Sequence, residues 1–255
     1  MKFLPLLLCI LLSSCSLFRK KNEVSTELDS TKINFRYSDN QGELPYSRQV
    51  LVEENKHKLS TMIKIMDSGK KGTEVIEKTI AVSETGSLKK NKISRNILRP
   101  SISQHSVWLE GKKYFSQIKV RAVSRELEVT LESPENKWNG TSTIPLPKSM
   151  SLFCFFTQIP ECLKFSNVLF ELKNNPKSSS KIGIIWESYP YMGEQWENVP
   201  TEIISFGRIF YDGVNESGDY KYNLEFNGQM TIYHFDKKFE LKKFLWVAQG
   251  ISIIR

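Results

Sequence analysis

Residues 219–235 read DYKYNLEFNGQMTIYHF, and this stretch decides the fold class. The pair Asn227-Gly228 favours a two-residue type I′ turn, which sets the register of the strands on either side. That register gathers six apolar residues on one face of a hairpin: Tyr220, Tyr222, Leu224, Phe226, Tyr233 and Phe235. A slip of one residue would scatter this set, so the turn and the pattern predict the same antiparallel pairing.

The same period-two alternation runs through most of the chain. RELEVTLES, residues 125–133, places Leu127, Val129 and Leu131 on one face and glutamates on the other. Such strands have one dry and one wet side, as antiparallel sheets allow. The best candidate for a short helix is residues 147–160, PKSMSLFCFFTQIP. The pattern predicts an all-β domain over residues 42–255, built as a single strongly curved antiparallel sheet, a half-barrel or a sandwich.

The beginning of the chain has the pattern of a targeting segment. The apolar run Phe3–Leu12 is shorter than the ~20 residues that a spanning helix needs, and it fits the core of a secretory signal. The tetrapeptide Leu12-Ser13-Ser14-Cys15 that follows resembles the lipobox of bacterial lipoproteins. The resemblance implies that residues 1–14 are a signal peptide and that Cys15 carries lipid. In the Gram-negative sorting pattern, Ser16 in place of aspartate implies the outer membrane.

Residues 15–41 are mostly polar, and the sequence predicts a flexible tether there. The formal net charge is +8, but 36 basic residues are interspersed with 28 acidic ones. This balance indicates a solvated surface and argues against nucleic-acid binding, which needs a concentrated basic stripe. The expected partner is the membrane, reached through the lipid on Cys15.

Two cysteines, Cys154 and Cys162, lie in the body of the chain. An exported protein meets an oxidising compartment, so a disulfide between them is the first interpretation. A pair of buried free thiols is the alternative. The spacing is unlike the Cys-x-x-Cys of redox motifs.

The sequence contains no recognisable catalytic motif. The three histidines, His57, His105 and His234, have no spacing typical of a metal site. No phosphate-binding loop or nucleophile elbow is present. We therefore expect no enzymatic activity, no cofactor and no metal.

Two classes of function fit these observations. The first is a body that binds an apolar ligand, such as a lipid or an acyl chain, on the six-residue face of the hairpin. The second is a structural or assembly lipoprotein that binds another envelope protein. In outline, the predicted body is similar to the half-barrel lipoprotein carriers of the bacterial envelope, and this similarity is one of class and pattern. A large cavity beside the aromatic residues would favour the first class, and a filled core would favour the second.

Overall fold

The computed structural model describes residues 30–39, 42–53, 58–67, 74–87, 96–149 and 151–255. Over these residues the chain is all-β, as predicted, and its strands form two sheets. The first sheet has eight strands, in the spatial order β1 (Ser30–Asn34), β4 (Tyr46–Glu53), β5 (Lys58–Asp67), β6 (Glu74–Ser87), β7 (Asn96–Leu109), β8 (Lys112–Arg121), β9 (Glu126–Glu132) and β10 (Gly140–Pro145).

The second sheet has nine strands and contains the C-terminal end of the described chain. Its spatial order is β11 (Phe153–Phe155), β12 (Ser179–Ile185), β13 (Ile204–Val214), β14 (Tyr220–Phe226), β15 (Gln229–Phe235), β16 (Leu241–Trp246), β17 (Ile251–Ile254), β2 (Arg36–Asp39) and β3 (Gly42–Leu44). Neighbouring strands are antiparallel except for the parallel pair β11–β12. Both sheets contribute buried residues to one core, so they face each other across it.

The hairpin β14–β15 has the predicted register. Tyr220 pairs with Phe235 and Tyr222 with Tyr233. Asn227 and Gly228 take φ values of 47° and 72°, the positive values that a type I′ turn requires. The local turn chemistry and the alternation of the strands therefore agree in the folded chain.

Two helices fill the interior between the sheets. They are α1 (Ile159–Phe165) and α2 (Val168–Asn174), preceded by a 3₁₀ turn at Phe156–Gln158; we call residues 156–174 the plug. Ile159 and Leu163 are fully buried, and Leu169 almost so. The remaining helical segments are short: α3 (Met192–Gln195) and 3₁₀ turns at Asn136–Trp138 and Val247–Gln249. The sequence indicated a short helix at 147–160, but the helices start at its last residues and run on to 174.

Polar contacts hold the plug against the first sheet. Gln158 is fully buried, and its side-chain amide donates hydrogen bonds to the carbonyl of Ala81 at 2.8 Å and to Thr61 Oγ1 at 3.2 Å. Its carbonyl oxygen accepts from the hydroxyl of Ser83. Every hydrogen-bonding group of this amide except one lone pair thus has a partner, so its burial carries little free-energy penalty.

The second sheet holds the plug from the other side. Glu187 follows β12 and accepts backbone N–H bonds from Phe156 at 3.0 Å and Thr157 at 3.2 Å. The disulfide between Cys154 on β11 and Cys162 on α1 adds a covalent tie, with Cα atoms 5.9 Å apart. The predicted pairing is confirmed, and a loop this short stabilises a fold by about 2–3 kcal/mol in the chain-entropy model.

The body begins earlier than the sequence indicated. Residues 30–39, assigned to the tether, form β1 in the first sheet and β2 in the second. Phe35 and Tyr37 are buried in the shared core. The alternation in this segment is short and its flanks are polar, so its local pattern was too weak to predict strands that tertiary pairing stabilises.

Candidate functional site

The predicted ligand face of the hairpin belongs to the core. Five of its six residues are buried, and Tyr220 is half-buried. The hydroxyl of Tyr222 donates a hydrogen bond of 2.6 Å to the carbonyl of Leu169 on α2. The plug therefore covers most of this face, which is not an open surface for a ligand.

An apolar pocket remains beside the plug, where the two sheets meet. Its volume is about 90 Å³, close to the volume that three water molecules occupy in liquid water. Residues from both sheets and from the plug line it: Tyr37, Tyr46, Arg48, Ile63, Ile65, Glu77, Phe156, Thr157, Pro160, Trp196, Tyr233, Leu241, Phe244, Trp246, Ile251 and Ile253. Of the predicted face, whose six residues are all described, Tyr233 alone lines this pocket.

Aromatic rings form much of the pocket wall. Tyr37 on β2 stacks on Tyr46 of β4, with ring centroids 5.8 Å apart. On the opposite side, Trp246 lies 5.2 Å from Trp196 and 5.3 Å from Phe156, centroid to centroid. Rings that pack on one another at these distances stabilise each other beyond their burial and give the pocket a rigid wall.

A buried ion pair closes one part of the pocket. Arg48 of β4 binds both carboxylate oxygens of Glu161 on α1, at 2.7 and 2.6 Å, and also donates to the carbonyl of Thr157 at 3.0 Å. Side-chain exposure is 3% for Arg48 and 13% for Glu161. The fork-to-fork geometry satisfies the two charges mutually, so this pair contributes no net charge to the pocket.

The acidic residue Glu77 also lines the pocket, and its carboxylate has few polar neighbours. The hydroxyl of Thr79 donates to its carboxylate at 3.2 Å, and Nδ1 of His105 lies 2.8 Å from the same hydroxyl. Burial raises the pKa of Glu77 to about 7, although the Thr79 hydrogen bond opposes the rise. Burial also lowers the pKa of His105 to about 3, so this imidazole is neutral at pH 7 and does not balance the carboxylate.

The raised pKa of Glu77 has a consequence for stability. The folded chain holds a proton at Glu77 that the unfolded chain releases near pH 4.5, so stability should fall as pH rises from about 4.5 to about 7. Burial raises the pKa of Glu187 to about 7 as well. The variant Glu77→Gln should therefore weaken the decrease of unfolding free energy with pH, measured by urea unfolding at pH 4.5, 6 and 8. It should not abolish that decrease, because Glu187 contributes to it as well. Glu216→Gln, at an exposed turn position, is the matched control, and an unchanged slope in Glu77→Gln would contradict the prediction.

The first sheet buries several polar side chains, among them Ser103, His105 and Ser116. Ser116 of β8 pairs in register with His105 of β7, yet Ser116 Oγ and His105 Nε2 have no hydrogen-bond partner within the described residues. The two side chains therefore do not form a serine–histidine dyad. Strand alternation places Ser116 and His105 on the same face of the sheet. When both faces of a strand carry polar residues, the sequence alone does not show which face is buried.

The other predicted site residues are placed as follows. His234 lies on β15 opposite Lys221, as predicted, with its Nδ1 2.8 Å from the side-chain nitrogen of Asn215. Cys15 and His57 lie outside the described residues. Over the described parts of the chain, no group of three or more potential metal ligands comes together, and no helix is long and apolar enough to span a membrane.

Comparison with known proteins gives little further information. No protein-family model matches the chain, and no curated protein matches it. Among solved structures, the chain is similar to a β-barrel-like protein of a domain of unknown function, DUF1849, from Brucella abortus. The match has a TM-score of 0.45 and 6% sequence identity, and it covers 86% of this chain and 92% of the other. The function of this chain therefore has to be inferred from its own residues.

Proposed function

We propose that this protein is a lipid-anchored envelope lipoprotein whose β body binds an apolar chain, from a lipid or an acylated molecule, in the pocket between the two sheets. The observation that carries the proposal is the aromatic pocket itself, walled by both sheets and the plug. Ligand sites are typically concave, mostly apolar and preformed, with a few polar groups, and this pocket has that character. Its one acidic residue, Glu77, and its one arginine, Arg48, are charged groups that would orient the ligand.

The size of the pocket limits what it holds. At about 90 Å³ it is smaller than the ~300 Å³ at which pockets for whole drug-sized ligands begin. The pocket would therefore bury only a few carbons of a chain, with a polar group beside them at its lining, while the rest of a larger molecule stays outside. Each buried methylene contributes about 0.8 kcal/mol, so three or four of them support weak, reversible binding.

A variant that fills the pocket tests this proposal. Ile253 is half-buried at the pocket lining, and Ile253→Trp places a bulky indole ring where the chain would lie. We expect it to abolish the binding of 1-pentanol, measured by calorimetry on the full chain in lipid nanodiscs with empty discs subtracted. Val247→Trp is the control, because Val247 is 66% exposed and does not line the pocket. Equal binding by wild type and Ile253→Trp would contradict the proposal.

The anchor is a separate part of the proposal. The lipobox-like tetrapeptide before Cys15 supports it, and two or three chains on one cysteine hold a protein on a membrane far better than one. Fourteen residues separate Cys15 from Ser30, so the body would lie within about 50 Å of the lipid. The sequence at Ser16 favours the outer membrane.

Mass spectrometry of the membrane-extracted protein tests the anchor. We expect a mature N-terminus at Cys15 that carries acyl groups, and we expect Cys15→Ala to remain unprocessed. An unmodified N-terminus at another residue would contradict lipidation. This result is independent of whether the pocket binds a ligand.

A structural or assembly role is the second candidate. It is favoured by an open groove of about 670 Å³ on the second sheet, beside the Asn227-Gly228 turn. Phe206 in this groove is 48% exposed and lies among polar residues such as Arg208 and Glu225. If another envelope protein binds there, Phe206→Asp should abolish its co-purification and leave pentanol binding unchanged.

A further inference from the structure

Once Glu77 is ionised, the described residues at the pocket hold one more carboxylate than cations, because Arg48 is paired with Glu161. This charge restricts the chemical class of ligand that the pocket can bind. Among its described lining residues, Arg48 is the only cation, and its two terminal nitrogens already bind Glu161 and the carbonyl of Thr157. Glu77 remains as an acid with no cationic partner among the residues that the structure describes.

Strand pairing places Glu77 beside the aromatic wall. Tyr46 pairs with Ile65 across β4–β5, and Ile65 pairs with Glu77 across β5–β6, so the three residues form one row on the inner face of the first sheet. Tyr37 stacks on Tyr46 at the end of this row. Burial raises the pKa values of both tyrosines, and the nearby charge of Glu77 raises them further. The carboxylate and the two rings thus belong to one small volume.

Within the described parts of the chain, no group packed against Glu77 offers a compensating positive charge. His105, 3.9 Å away at Nδ1, is neutral because burial lowers its pKa to about 3. Thr79 gives one neutral hydrogen bond. On the plug side, the acid Glu161 is neutralised by Arg48.

We infer that the pocket selects an amphiphile whose apolar chain carries an ammonium group, and that it rejects chains that end in a free carboxylate. This inference rests on the proposed function, since it names the ligand class of the same pocket. An ammonium group would pair with Glu77 and lie against the faces of Tyr37 and Tyr46, where the ring quadrupole attracts a cation. A carboxylate would be repelled by Glu77, and Arg48, which could bind it, is already engaged by Glu161 and the carbonyl of Thr157.

A matched series of probes tests the inference on the full chain in phosphatidylglycerol nanodiscs, whose lipid has no ammonium group. Pentylammonium, 1-pentanol and hexanoate share one five-carbon alkyl chain and differ only in the polar head. We expect affinity to decrease in that order, by calorimetry at pH 8 with empty discs subtracted. Glu77→Gln should weaken pentylammonium by about 10- to 100-fold, the usual size of a hydrogen bond to a charged group, and leave pentanol unchanged. Glu216→Gln should bind all three as the wild type does.

The pH dependence gives a second readout. An alkylammonium keeps its charge up to about pH 10, whereas Glu77, with its pKa raised to about 7 by burial, must lose a proton before it can form an ion pair. Pentylammonium affinity should therefore rise between pH 6 and pH 8 in the wild type and stay flat in Glu77→Gln. Pentanol affinity should not follow this profile.

The outcomes separate the inference from the proposed function. If hexanoate binds as tightly as pentylammonium, or if Glu77→Gln keeps the preference for the cation, the inference is wrong and the pocket still binds chains. If none of the three probes binds, the proposed function fails and the inference fails with it. A repeat in phosphatidylethanolamine discs identifies the source of the ammonium. Weakened pentylammonium binding there assigns the pocket to a lipid headgroup, and unchanged binding assigns it to a free amine; both results support the ammonium class.

Discussion

Replacing Arg48 with methionine should lower the free energy of unfolding by about 3–5 kcal/mol, because the variant leaves Glu161 buried without its partner. The pair joins β4 of the first sheet to α1 of the plug, and both of its members are largely shielded from water. The loss should appear in urea unfolding at pH 7 as a lower midpoint with an unchanged slope.

The double variant Arg48→Met with Glu161→Gln is the control for this prediction. It removes both charges, and replacing both members of a buried ion pair by uncharged groups is often close to neutral. We expect it to recover most of the lost stability. A single variant that loses less than about 1 kcal/mol, or a double variant as unstable as the single, would mean that the plug does not depend on this pair.

Replacing Tyr222 with aspartate should unfold the body, since the new carboxylate would be buried with no cationic partner. Tyr222 is fully buried, and its ring lies 5.2 Å from Tyr211 and 5.6 Å from Phe235, centroid to centroid. Burial of an unpaired charge costs several kcal/mol, a large part of the stability of a typical domain. Circular dichroism should show loss of cooperative thermal unfolding.

Two milder variants serve as controls for this prediction. Tyr222→Phe keeps the ring and removes the hydrogen bond to Leu169, so it should cost only about 1–2 kcal/mol. Val123→Asp adds the same charge at a fully exposed turn and should have little effect. A folded, stable Tyr222→Asp variant would contradict the prediction and show that this face is open to solvent. The hairpin would then again be a candidate ligand surface.

The sequence predicted the hairpin well because its determinants are local. Asn227-Gly228 sets the turn, and the alternation of Tyr222, Leu224 and Phe226 follows from the pleat. The disulfide of Cys154 and Cys162 was also predictable, since the two are close in sequence and the start of the chain resembles an export signal. These features need no knowledge of distant contacts.

The plug and the pocket depend on contacts between residues far apart in sequence. Gln158 binds strands some 75 to 97 positions away, and Arg48 meets Glu161 across 113 positions. Alternation identified the face that carries Tyr222 as apolar, but it could not reveal that helices would cover it. The sequence pattern did not single out Glu77, and only the sheet pairing places it beside the aromatic wall.

Intermolecular nuclear Overhauser effects would test the central claim, that an apolar chain binds between the two sheets, most directly. The measurement uses the full chain in nanodiscs with labelled isoleucine and methionine methyl groups, and 1-pentanol as the ligand. We predict contacts from the pentanol methyl to the methyl groups of Ile63, Ile65 and Ile251, which come from both sheets and line the pocket. Contacts to Met230 in the outer groove instead, or none at the three isoleucines under saturating ligand, would contradict the claim.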